Sequence, residues 1–468
     1  PPFDVRTTMP PPADDGRVAV AVPRTDGWAS DRHRRSVLWI VALATAAIVF
    51  DGYDLVVYGA VLPTLLADPT ALGTIDPATA GALGSYALIG VMVGALLAGA
   101  VGDRMGRRRT MLTAIVWFSV GMGATALAPS VGTFGALRFL TGIGVGALVA
   151  TVGAMIAEFA PADRRNLFNA IVYSGIPAGG VLASLAAIVA EDAVGWRGLF
   201  WLGALPLVTL LPLAILRMPE SPRWLLARGR VDDARAVCAS TGIPLPEAEV
   251  SAPGDRVGFA ALARRPLRRP TLLLGSMSFC GLLLTYGLNT WLPQIMSEAG
   301  YNAKGSLSFL LVLNGGAIVG GLIASRVADR TGPQRVVAAT FCLAAIALVI
   351  LTSGAPLGVL LVAVAGAGIG AIGTQVLIYG FVSGYYPTSS RAAGVAWCAG
   401  FGRLGGIGGP LVGGLLLGAG VSSATAFHLF AGVALVGAAV TLTVPRRTAG
   451  PVDPAPADQT RSKTAARP

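Results

Sequence analysis

Gly102-Asp103-Arg104-Met105-Gly106 returns 226 residues later as Ala328-Asp329-Arg330-Thr331-Gly332. The same offset carries Pro161 and Arg165 onto Pro387 and Arg391, Gly142 and Gly144 onto Gly368 and Gly370, and Gly179-Gly180 onto Gly405-Gly406. Isolated glycine matches carry little weight in a chain with 62 glycines. One register shared by loops and apolar runs is the mark of an internal duplication. Each copy holds six apolar runs: 37–66, 79–101, 110–128, 131–157, 167–190 and 196–216 in the first, and 271–293, 305–325, 334–352, 355–381, 391–417 and 422–445 in the second. Each run is close to the ~20 residues that cross a bilayer as a helix. A polar segment, 217–270, separates the halves 37–216 and 271–445. The tails 1–36 and 446–468, rich in Pro, Ala, Asp and Arg, read as disordered.

Composition agrees. Of 468 residues, 54% are apolar and glycine adds about 13% more, while charged residues reach only 13%. Soluble proteins average ~25% charged, so this chain could not cover its surface in water. It reads as an all-α integral membrane protein. The net charge of +11 is not a nucleic-acid footprint, because the arginines lie in short runs between apolar segments. Cys238, Cys280, Cys342 and Cys398 lack metal or disulfide spacing and read as small hydrophobes. No cofactor is called for. The first apolar run, starting near Val37, is too long for a signal peptide's core.

Arginine also sets orientation, since cytoplasmic loops carry the Lys/Arg excess. Arg32, Arg34 and Arg35 precede span one; Arg104, Arg107, Arg108 and Arg109 follow span two; Arg164 and Arg165 follow span four. Ten arginines lie between Arg217 and Arg269; Arg326, Arg330 and Arg335 follow span eight, and Arg446 and Arg447 follow span twelve. The alternate loops hold almost none, Arg197 and Lys304 excepted. Both termini are expected in the cytoplasm of a cell whose inner (plasma) membrane holds the protein.

Two six-helix halves in parallel repeat are the architecture of a major facilitator transporter. Gly99-Ala-Val-Gly-Asp-Arg-Met-Gly-Arg-Arg-Arg109 resembles that superfamily's loop motif between helices two and three, with a degraded copy at Asp329–Arg335. Pro219-Glu-Ser-Pro-Arg-Trp-Leu225 is shared with sugar porters and several anion porters. Asp51-Gly-Tyr-Asp54 in span one, with Trp291-Leu-Pro293 in span seven, resembles the aromatic acid:proton symporter family. The resemblance covers the membrane region and implies import of one benzoate- or hydroxybenzoate-like carboxylate with protons, by alternating access, in a monomer.

The polar residues inside the spans carry the chemistry. A carboxylate at a helix centre costs ~2.5–3.5 kcal/mol on insertion scales, so it faces a cavity or a partner. Asp51 and Asp54, three apart, share a face. Two carboxyls this close in a low dielectric cannot both stay charged cheaply, so one can carry a proton, or the pair can serve as structural ion partners. Arg403, deep in span eleven, suits the anionic end of a substrate or a permanent pair with a span-one aspartate. Arg138 in span four could steer the anion or gate the proton. Tyr286, Asn289 and Trp291 in span seven and Tyr379 in span ten are candidates to contact an aromatic ring, as are Tyr53, Tyr58 and Tyr173. Packing alone could equally explain any of these aromatics.

Asp103, Arg104, Arg107 and Arg108, with Glu158, Asp329 and Arg391, are gate candidates: charged contacts that break as a cavity opens inward. Topology alone would explain the arginines, though not the aspartate and glycine among them. His428 reads as a structural histidine. A sugar porter lacks support from span seven, which has no Gln-Gln pair. A drug–proton antiporter would want Gly-Pro in span five, where Gly175-Ile-Pro177 stands. For a membrane enzyme there is neither a metal triad nor a nucleophile–base pair.

Overall fold

A computed structural model of the chain describes residues 30–161, 164–246, 262–263, 267–386 and 388–445. Residues 1–29 and 446–468 of the expected tails, Arg446 and Arg447 included, lie outside them, whereas 31–36, read from the sequence as disordered tail, form the first turns of the first helix. Helices α1 (Asp31–Ala67), α2 (Pro77–Met105), α3 (Arg107–Ala126) and α4 (Val131–Phe159) are the first four spans. Span five is α5 (Arg165–Tyr173) running into α6 (Gly175–Gly203). Inside α6 Gly195 adopts φ 64°, ψ 178°, where the chain turns into span six, completed by α7 (Leu210–Arg217). Two short helices follow in the polar segment, α8 (Pro222–Ala227) and α9 (Val231–Thr241). The second half comprises α10 (Arg268–Glu298), α11 (Ala303–Thr331), α12 (Pro333–Ile350), α13 (Leu357–Gly368) and α14 (Thr374–Tyr385), α15 (Thr388–Gly418) and α16 (Ser423–Thr443). A π-helical turn, Ile369–Gly373, joins α13 to α14 as one span.

Among the described residues, nine helical stretches are long and apolar enough to cross a bilayer. The third, sixth and eleventh runs are helical too: α3 opens on three arginines, span six is interrupted, and α15 is glycine-rich. Local chemistry sets the starts. Asp76, Ser130, Asn302 and Ser422 each accept a backbone N–H of the first turn at the ends facing away from the arginine-rich loops. Such a cap stabilises a helix by ~1 kcal/mol. Arg197, an exception to the arginine pattern, donates to the carbonyls of Ala71, Ala126 and Ala128 and stacks 4.3 Å over Trp196. It ties the end of α3 and the α1–α2 connection to span six, a structural use of a cation at a helix C-terminus.

Without water to drive them together, helices in lipid associate through close packing, which favours small residues. A Cβ on Gly142 of α4 would strike the Ala87 carbonyl of α2, and one on Gly368 of α13 would strike the Leu313 carbonyl of α11. Likewise Gly179 of α6 lies on the Val49 carbonyl of α1, and Gly405 of α15 on the Phe279 carbonyl of α10. Both pairs are separated by 226 residues. The repeated glycines mark the same two contacts, span four on two and five on one, and their counterparts in the second half.

Because the obstructing atoms are backbone, no rotamer can relieve the clash. Gly142→Val should therefore lower the yield of monodisperse protein several-fold, since overpacking costs ~1–3 kcal/mol. Gly99→Val on α2, where a Cβ meets nothing within 4 Å, should not. Fluorescence-detected size exclusion of both variants checks this.

Candidate functional site

The halves meet where α2 lies on α15, α1 on α10 and α6 on α11. Ser85 Oγ donates to the Ile407 carbonyl at 2.7 Å, and Lys304 pairs with Asp192 at 2.9 Å. Both links lie toward the ends that face away from the arginine-rich loops. There Gly81 and Gly84 of α2 press on Pro410 of α15, and Gly59 of α1 on the Asn289 carbonyl of α10. That side is closed.

Between the halves a polar cavity is bounded by Asp51, Asp54, Arg138, Tyr286, Thr290 and Arg403, among others. Asp54 and Arg138 form a direct ion pair, both side chains buried. The guanidinium also lies 5.5 Å over the Tyr58 ring and 5.8 Å over Phe200. One aspartate and one arginine of the sequence reading are thus engaged with each other. Breaking such a buried pair by removing one partner costs ~3–5 kcal/mol, mostly from the charge left behind.

Arg403 is placed differently. Its Nη1 donates to the Tyr286 hydroxyl at 3.4 Å, and Tyr379, Asp51 and Tyr173 lie within its electrostatic reach. Among the described residues no carboxylate comes within the 4.0 Å of an ion pair to it. Asp51 is buried, within electrostatic reach of both Arg403 and Asp54 and in direct contact with neither. Arg403, Tyr173 and Tyr379 are each half-buried and keep part of their surface open. Tyr379 lies six residues before the arginine-side end of α14, and Tyr173 lies eight residues after the arginine-side start of α5. These two half-buried tyrosines therefore lie toward the arginine-rich loops.

The sequence matches the family described as sugar (and other) transporter over residues 39–446. The chain belongs to this family of the major facilitator superfamily. It is 34% identical to the gentisate transporter of Corynebacterium glutamicum over 394 residues, 84% of each chain. It is 32% identical to the benzoate transport protein of Acinetobacter baylyi, covering 81% of this chain and 83% of that one. The fold is that of a D-xylose-proton symporter, with TM-score 0.68 at 19% identity over 87% of this chain and 98% of the symporter. Family and relatives are transporters, not enzymes.

Within this transporter, not every aromatic candidate reaches the cavity. Trp291 is fully buried, donating to the Pro410 carbonyl at 2.8 Å with its ring against Gly413, so it fastens α10 to α15. Asn289 Nδ2 donates to the Thr285 carbonyl at 2.8 Å, and its Oδ1 accepts from Asn314 at 2.9 Å. Thr290, next in sequence, lines the cavity instead. Tyr379 lies against Gln375 and Ser278, which hydrogen-bond to each other at 3.0 Å. Gln375, whose Oε1 is buried without a partner, was missed by sequence reading; a glutamine in an apolar run was the available signal.

At the arginine-rich end the two loop motifs, more than a hundred residues apart, close on each other. Arg107 pairs with Asp103 at 3.0 Å and lies 3.8 Å from Glu158. Glu158 accepts from the Ser221 hydroxyl, and Glu220 accepts the Arg108 N–H at 2.9 Å. The Asp103 carbonyl accepts from Trp224 and Arg228, both at 2.9 Å, and the Arg104 carbonyl from Arg228 at 3.3 Å. Asp329 and Arg391 of the second half stand apart from this network, exposed.

Two outcomes follow from the Asp54–Arg138 geometry. Arg138→Ala should lower thermal stability strongly, by ~3–5 kcal/mol. Adding Asp54→Leu to it should recover much of that loss, since no charge is then stranded. Thermal unfolding of the purified variants measures both.

Proposed function

We propose that this transporter imports a small aromatic carboxylate of the benzoate and hydroxybenzoate class together with protons. Arg403 carries the reading: an interior guanidinium with no carboxylate partner among the described residues, hydrogen-bonded to Tyr286 and within electrostatic reach of Tyr173 and Tyr379. A guanidinium takes a carboxylate bidentately, and the tyrosines offer ring faces and hydroxyls to an aromatic body. The names of the gentisate and benzoate relatives support this class of cargo.

Import of an anion works against an inside-negative potential worth ~2.3 kcal/mol per charge per 100 mV. One co-transported proton cancels that term and a second reverses it. Asp51 is the carboxyl we assign to the proton, because Asp54 is engaged by Arg138 while Asp51 faces Arg403 without contact. Substrate arriving at Arg403 changes the field at Asp51, which couples the two loads.

The halves 37–216 and 271–445 then rock about the midplane, with segment 217–270 and both termini on the cytoplasmic side of the inner membrane. The cavity is small, about 20 Å³. Benzene fits an engineered cavity of ~150 Å³. The halves must part to load a ring. Asp103, Arg104, Arg107, Arg108 and Glu158 act as the gate charges of the first half, with Asp329 and Arg391 on the second.

Uptake of labelled benzoate, 4-hydroxybenzoate, gentisate and xylose in a transport-deficient cell, with and without an uncoupler, tests the reading. Uncoupler-sensitive accumulation of an aromatic acid is expected; uptake of xylose alone would replace the cargo class with a sugar. Arg403→Lys should keep weak transport with poorer apparent affinity, having lost the planar fork, and Arg403→Ala should nearly abolish it. If purified Arg403→Ala still distinguishes benzoate from benzamide as wild type does, Arg403 is not the carboxylate's partner.

Asp51→Asn should exchange substrate down its gradient yet fail to accumulate it. Full accumulation by this variant would move the proton to another group.

A further inference from the structure

A larger cavity lies away from the midplane, at the arginine-rich membrane face. It has about 340 Å³ of room and is lined by Asp31, Arg32, Arg35, Ser36 and Trp39 of α1, Arg217 at the end of α7, Pro219, and Thr241 of α9. Arg32, Arg35, Ser36 and Trp39 fall on one stripe of α1, because residues three and four apart are neighbours on a helix. Arg217 arrives from the other side, its guanidinium 5.0 Å over the Trp39 ring. Arg32 Nη1 donates to the Ala239 carbonyl at 3.1 Å, which holds α9 against the rim.

Three guanidiniums thus face one space that contains a single carboxylate. None of the three has a carboxylate within 4.0 Å among the described residues. Like charges gathered round an open volume repel one another unless an anion shares it, and the planar fork of arginine matches phosphate oxygens. Leu38 (46% exposed), Leu213 (45%) and Leu216 (77%) sit beside Trp39 and Arg217 and face outward as lipid-contacting surface. Trp39 is itself 42% exposed, as a residue at the headgroup level is.

We propose that this pocket binds the phosphate headgroup of an anionic glycerophospholipid. The phosphodiester sits among Arg32, Arg35 and Arg217, and the acyl chains lie on Leu38, Leu213 and Leu216. The lipid thereby joins the start of span one to the end of span six and to α9. This site takes no part in carrying cargo, so the proposal stands or falls apart from the substrate assigned above. Free phosphate shares the headgroup's chemistry, but it would leave the flanking leucines without a role.

Native mass spectrometry of the delipidated, purified transporter, offered phosphatidylglycerol or phosphatidylcholine, reads the site directly. Wild type should retain phosphatidylglycerol preferentially. Each arginine near a membrane surface contributes ~1 kcal/mol toward an anionic lipid, so Arg35→Gln with Arg217→Gln should weaken retention about thirtyfold. Arg34→Gln with Arg330→Gln removes the same charge from exposed positions outside the cavity and should change little. Equal weakening by both double variants would mean general attraction and overturn the pocket. Stabilisation by inorganic phosphate, lost in the first double variant, without any preference for phosphatidylglycerol would overturn the lipid in favour of a soluble anion. Should the first double variant not fold, photoactivatable phosphatidylglycerol on wild type decides the matter. Label at Arg35–Trp39 or Leu213–Arg217 supports the site, and label elsewhere removes it.

Discussion

A charge taken into the membrane interior has to find an opposite charge, and of the four that bound the cavity only two are matched at contact distance among the described residues. Asp54 and Arg138 satisfy each other, with Tyr58 and Phe200 supplying ring faces to the guanidinium. Both members belong to the first half. Arg403 belongs to the second half and Asp51 to the first; they lie across the gap without touching. Partnering is complete within a half and incomplete between halves. A direct pair between the halves does occur, Lys304 with Asp192, but on the closed side, and among the described residues none is made at the cavity.

Much of this architecture is legible in the sequence, and the repeat shows why. Gly142 and Gly368 sit on the same kind of backbone contact, as do Gly179 and Gly405. A close approach of two helices leaves no room for a Cβ, so a fold-level contact is written into single residues. Arginine runs mark one face of every loop on that side. The membrane imposes both signals locally, one residue at a time.

The site was legible as a set of residues but not as a set of partners. Asp51 and Asp54 lie on nearly the same face, and either could have met Arg138 or Arg403. The choice depends on how α1 is rotated between α4 and α15, and a helix apolar all round carries no periodicity to report that rotation. The same ambiguity hid the fates of Trp291 and Asn289: adjacent positions on α10 put Thr290 at the cavity and turn its neighbours to Pro410 and Asn314. The Glu220–Arg108 link was hidden for another reason. Two motifs read separately become one network only when the polar segment folds back on the α2–α3 turn. Even Arg197, an exception by topology, is explained only by three carbonyls that tertiary structure brings to it.

Backbone symmetry and chemical asymmetry therefore coexist. The 226-residue register places Met277 opposite Asp51, Cys280 opposite Asp54, Val364 opposite Arg138 and Pro177 opposite Arg403. Gly384 stands opposite Glu158, so the second half has no acidic residue at the position that holds Arg107 in the first. The duplicated glycines give the two halves the same close helix contacts. The charges are not duplicated: each of the four stands opposite an uncharged residue at the repeat offset. What the two halves share is their glycine-mediated helix contacts, and what sets them apart is the charge inside the cavity.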